Sequence, residues 1–150
     1  MSLNIPFAAR LLATLAAAAA IIAASTVPGT PKPGDAAFVW LVYATPTGLQ
    51  KSLHVVAYGV LAVLTLWTLQ ERVASGSVRI LAVVLSTLVL GALLEWYQTT
   101  VPGRFGSLTD VLLNGAGILL GVLVARWLPG LTGDAVRPPG SRGSPPSSIP

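Results

Sequence analysis

Cysteine is absent from this 150-residue chain, which excludes a disulfide framework and any thiolate metal site. Charge is scarce: only 9% of the residues are Asp, Glu, Lys or Arg, where soluble domains carry about 25%. There is a single histidine. The net charge of +4 comes from isolated residues, and nothing alternates basic side chains with aromatics, so no nucleic-acid partner is expected. No glycine-rich phosphate loop occurs, and no Ser nucleophile has a matching His and Asp. Ser52 lies two residues from His54 and would face another side of a helix. What the chain does have is apolar surface: 53% hydrophobic residues and a mean hydropathy of +0.76. So little charge cannot cover a water-soluble surface, whereas Leu, Val and Ala face hydrocarbon at no cost. The fold class is therefore all-α, a polytopic membrane bundle of about four spans whose first partner is the lipid bilayer.

After a short head ending at Arg10, the run Leu11 to Val27 approaches the roughly 20 residues a span requires. A cleaved signal peptide is the competing reading, with Arg10 in its basic region and Ala23-Ala24-Ser25 as its cleavage site. The length of the run and the meagre basic region favour a retained span. Pro28 to Gly34 is turn-forming. Ala36 to Ala44 is apolar but too short to cross, and Phe38, Trp40 and Tyr43 suit the membrane interface. The expected spans run over about 8–27, 51–69, 80–97 and 108–128, in one domain of residues 1–128. Residues 129–150, rich in Pro, Gly and Ser, form a tail expected to be disordered.

The polar residues are not scattered. Lys51, His54 and Tyr58 follow steps of three and four, so they lie along one helical stripe at the start of the second span. Glu95 and Gln98 share a face at the end of the third. Pro102-Gly103 makes a turn that presents Arg104, and Ser107 and Asp110 suit the start of the fourth helix, with Asn114 one turn on. Gly117 and Gly121 form a small-residue face that admits another helix. Antiparallel spans bring all eight polar residues to one membrane face. Placing the N-terminus inside puts Arg10, Arg72, Arg79, Arg126, Arg137 and Arg142 on the cytoplasmic side, with Lys32, Lys51 and Arg104 outside. That bias predicts cytoplasmic termini in a multi-pass cell-membrane protein, and an extracytoplasmic polar cluster.

These residues, in this order, resemble the VanZ-like family of small bacterial membrane proteins. The resemblance rests on Lys51-x-x-His54-x-x-x-Tyr58, then Glu95-x-x-Gln98, Pro102-Gly103-Arg104, Asp110-x-x-x-Asn114 and the glycines at 117 and 121. It covers roughly residues 50 to 125. One departure is Gln50, where the family usually carries Asp before the Lys. The resemblance implies a cell-envelope protein of a family whose founding member is linked to resistance to a glycopeptide antibiotic, teicoplanin. It supplies no reaction.

Read from the residues themselves, the cluster Lys51, His54, Tyr58, Glu95, Gln98, Arg104, Asp110 and Asn114 is a candidate ligand-binding site. An anionic lipid-linked or glycopeptide molecule is the ligand class, because Arg104 is a planar fork suited to phosphate or carboxylate. Alternatively His54 and Glu95 are an acid–base pair acting on a lipid head group. The third reading is structural, with Glu95 paired to Lys51 or Arg104 and Arg104 to Asp110, holding the helices in register. His54 with Glu95 and Asp110 is also a metal-ligand set, but no short motif such as His-Glu-x-x-His is present, so neither a metal nor a cofactor is expected.

Overall fold

The computed structural model describes residues 5–128. The predicted tail, 129–150, lies outside the described residues. Within them the protein is all-helical: α1 (Phe7–Thr26), α2 (Ala37–Ala44), α3 (Thr47–Leu69), α4 (Gly76–Gln98) and α5 (Leu108–Trp127). Four of these, α1, α3, α4 and α5, are long and apolar enough to cross a membrane. The eight-residue α2 has no buried residue and is the short segment expected between the first two spans.

Two helices start earlier than their apolar runs. α3 begins at Thr47, four residues before Lys51, because Pro46 precedes it with extended backbone and can end a turn just before a helix. α4 begins at Gly76, where the Ser75 hydroxyl accepts from the Val78 amide at 3.5 Å. Polar residues are tolerated in a first turn, so hydropathy alone places these starts too late.

The bundle is organised on α3 and α5, its most extensively packed pair. A Cβ at Gly117 would overlap the Val55 carbonyl, and one at Gly121 the Gly59 carbonyl. A Cβ at Gly59 would lie 3.1 Å from the Gly117 carbonyl oxygen. The two backbones therefore touch without intervening side chains, the arrangement small residues permit between membrane helices. Around this seam Tyr58, Ala62, Leu66, Val83, Ile118, Val122 and Ala125 form the buried core. Large apolar side chains elsewhere point outward, among them Leu12, Leu15, Val60, Leu81, Leu85, Leu112 and Leu120. In water such a surface would aggregate; against lipid it is the expected exterior.

Arginines fasten the helix ends. The buried Arg10 pairs with Glu71, donates to the Trp67 carbonyl at 3.2 Å and lies over the Trp67 ring. Arg79 donates to the carbonyls of Gln70 and Val73 at 3.2 and 3.4 Å. The last carbonyls of a helix have no intrahelical donor, so a guanidinium satisfies them and complements the helix dipole. Within α1 the two buried residues are Arg10 and Ser25, close to its two ends.

Candidate functional site

The end of α1, the start of α3, the end of α4 and the start of α5 meet at one end of the bundle. The loops confirm the meeting: the Gly29 amide donates to the Pro102 carbonyl at 3.3 Å. Gly103 turns the α4–α5 loop with φ +76°, a left-handed backbone that glycine adopts without steric cost. Arg104 follows directly and reaches across to α1, donating from Nη2 to the carbonyls of Ala24 at 3.0 Å and Ser25 at 3.5 Å. Burial lowers the Arg104 guanidinium from its ordinary value and nearby Glu95 opposes this; the group remains charged.

Glu95 is 4% exposed. Its Oε2 accepts the Ser107 backbone amide at 3.0 Å, and Oε1 lies 3.9 Å from His54 Nδ1. Ser107 is the N-cap of α5 as expected, yet its hydroxyl makes no capping bond. A carboxylate from the preceding helix takes an amide at the α5 start instead, favourable at the positive end of a helix. His54 Nδ1 also lies 2.8 Å from Asn114 Oδ1, and its ring stacks parallel to Tyr58 at 6.5 Å. Asn114 is fully buried and Tyr58 nearly so. Room for both comes from Gly91, where a Cβ would stand 2.9 Å from Asn114 Nδ2 and 3.1 Å from Tyr58 Cε1. One oxygen of Asp110, Oδ1, is buried without a hydrogen-bond partner.

Beside these groups lies a half-open cavity of about 650 Å³. His54, Tyr58, Gln98, Arg104 and Asp110 line its polar part, and Ala20, Ile21 and Ala24 of α1 with Leu53, Val56 and Ala57 of α3 line its apolar part. Its size is that of small-molecule sites, about 300–1,000 Å³. Leu53 and Val56 are half exposed on the outer surface, so the apolar wall runs into the surface that faces lipid.

A family model described as VanZ/LLP1 matches residues 5–129. The chain belongs to the VanZ/LLP1 family. No curated protein and no solved structure matches it. In this VanZ/LLP1 protein the fold gathers seven of the eight residues marked by sequence: His54, Tyr58, Glu95, Gln98, Arg104, Asp110 and Asn114. Lys51 is the exception, being exposed and absent from the cavity wall. The expected ion pairs also differ. Neither Glu95 with Lys51 or Arg104, nor Arg104 with Asp110, comes within ion-pair distance among the described residues. Arg104 goes to main-chain carbonyls because the α1 end leaves them without donors.

Several contributors carry no charge and so gave no sequence signal of chemistry: the Ala24 and Ser25 carbonyls, the Ser107 amide and Gly91. Gly91 stands four residues before Glu95, on the same stripe, which is the one cue available. Gln50, the departure from the family pattern, has a defined task. Its amide donates to the Thr45 carbonyl at 2.8 Å and the Val42 carbonyl at 3.4 Å. It thereby caps the end of α2 and ties it to α3, which an Asp, acceptor-only when ionised, would not do.

Proposed function

We propose that this VanZ/LLP1 protein binds an amphiphilic, anionic envelope molecule, lipid-linked or glycopeptide, at the extracytoplasmic membrane face. The head would rest against Arg104, His54 and Gln98, and the chain along the α1–α3 apolar wall. One observation carries the reading: a single cavity joins a polar floor to an apolar wall that is continuous with the lipid-facing surface. A soluble polar metabolite has no use for such a wall, and a plain hydrocarbon has no use for the floor. The charge bias of the loops supports the extracytoplasmic placement. The link of the family's founding member to teicoplanin resistance fits a protein that occupies or shields an envelope amphiphile.

The test is expression of the full chain in a glycopeptide-sensitive host, with drug susceptibility measured alongside mass spectrometry of molecules retained by the purified protein. The wild type should retain an anionic amphiphile and reduce susceptibility, and Arg104→Ala should lose both. If Arg104→Ala and Glu95→Gln leave retention and susceptibility unchanged, the reading fails. A second reading rests on the 3.9 Å approach of His54 Nδ1 to Glu95 Oε1, which suits acid–base chemistry on a head group. It requires a lipid or precursor product that His54→Ala abolishes; an unaltered profile on expression removes it.

A further inference from the structure

His54, Glu95 and Asp110 come from three different helices, α3, α4 and α5. A nitrogen of the imidazole and one oxygen from each carboxylate lie within 4.8 Å of one another. Neighbouring ligands on a tetrahedral Zn²⁺ with bonds of about 2.1 Å stand roughly 3.4 Å apart. The His54–Glu95 approach, 3.9 Å, is already near that spacing.

Two further observations point to a cation. The first is charge. Glu95 is buried and Asp110 half-buried, and Arg104 stays beyond ion-pair distance of both, giving its hydrogen bonds to the Ala24 and Ser25 carbonyls. Asp110 Oδ1 is buried with no donor at all. A carboxylate oxygen in that state is costly unless a cation answers it. The second is how the groups are held. Glu95 is anchored through Oε2 by the Ser107 amide, which leaves Oε1 toward His54. His54 Nδ1 also lies 2.8 Å from Asn114 Oδ1, a contact the ring gives up when Nδ1 takes a metal.

We propose that His54, Glu95 and Asp110 bind one divalent transition-metal cation. An imidazole with two carboxylates selects a borderline ion such as Zn²⁺ over Mg²⁺ or Ca²⁺, which favour all-oxygen shells. Three protein ligands leave a coordination position open. His54 and Asp110 both line the cavity, so that position faces it. The site stands whether or not the cavity holds an amphiphile.

The experiment uses the full chain, purified in detergent with its affinity tag removed, stripped with a chelator and titrated with Zn²⁺, with Mg²⁺ in parallel. The expected result is one Zn²⁺ per chain, little response to Mg²⁺, and a rise in melting temperature on loading. Asp110→Asn and Glu95→Gln should each weaken Zn²⁺ binding by about tenfold or more, the scale seen when a metal site loses even an outer-shell partner. The chain has one histidine, so its ring ¹⁵N resonances report ligation without ambiguity and need no variant. Zn²⁺ that leaves those resonances unmoved overturns the proposal. So does a wild type that takes up no stoichiometric Zn²⁺, or variants that match its affinity.

Discussion

The glycines of α5 offer the sharpest test of the packing. Gly115, Gly117 and Gly121 share a helix, so replacing each by Ala removes the same backbone freedom and gains the same helix propensity, about 1 kcal/mol in a soluble helix. Their surroundings differ. At Gly115 the nearest atom to a new Cβ is Leu88 Cδ1 at 3.9 Å, ordinary contact with the end of a flexible side chain. At Gly117 and Gly121 it meets the carbonyls of Val55 and Gly59, which belong to the α3 backbone and cannot step aside. At Gly59 the new atom would lie 3.1 Å from the Gly117 oxygen, a contact relieved by a few tenths of an ångström. Overpacking costs about 1–3 kcal/mol, more where the obstacle is backbone. The expected order of stability is Gly115→Ala at or above wild type, then Gly59→Ala, then Gly117→Ala and Gly121→Ala at the bottom. Thermal unfolding in one detergent measures it, at roughly 3 °C per kcal/mol for a chain of this size. Equal shifts at all four positions, or Gly115→Ala as the worst, would refute the claim that α3 and α5 meet backbone to backbone.

Other outcomes follow from the helix-end contacts. Arg104→Ala should cost about 1.5–3 kcal/mol, the worth of hydrogen bonds to a charged group, and should raise protease sensitivity at the α1–α2 loop. Gln50→Asp should lower the melting temperature by removing the Nε2 donor and both of its hydrogen bonds to the Val42 and Thr45 carbonyls, with about 1 kcal/mol lost, while Gln50→Glu should do no better. At the opposite face, Glu71 is half exposed, so a double-mutant cycle with Arg10 should give a coupling of less than about 1 kcal/mol. Arg10→Ala alone should cost clearly more than Glu71→Ala, because it also loses the Trp67 carbonyl and ring.

Connectivity made much of the site readable before any coordinates. Once four apolar runs are recognised as antiparallel spans, the start of α3, the end of α4 and the start of α5 must share a face, and the polar residues there must meet. Partners were another matter. The sequence suggests Asp110 as the partner of Arg104 because side chains are what a sequence displays; the carbonyls of Ala24 and Ser25 that it takes belong to residues with nothing to advertise. Lys51 illustrates a second gap. Steps of three and four fix direction around a helix axis but not depth along it, and a rise of about 4.5 Å separates Lys51 from His54. His54 enters the cluster at that depth, while Lys51 stays at the surface. Likewise Gly91 reads as an ordinary small residue until Tyr58 and Asn114 are seen filling the space it leaves.

The two buried ends of α1 give that helix an unusual mechanical character. It is a beam on two supports: Arg10 clamps one end to α3 and Glu71, and Arg104 clamps the other through the Ala24 and Ser25 carbonyls. Between them the side chains are mostly alanine, and Thr14 bonds Thr68 at 2.8 Å and the Leu64 carbonyl at 3.2 Å. A beam held this way resists translation and tilt. Ala20, Ile21 and Ala24 form one side of the cavity, and Ala24 is itself gripped by Arg104, so the clamp that ties down the helix also sets the position of that wall. The helix whose composition most resembles a cleaved leader is thus a fixed wall of the site.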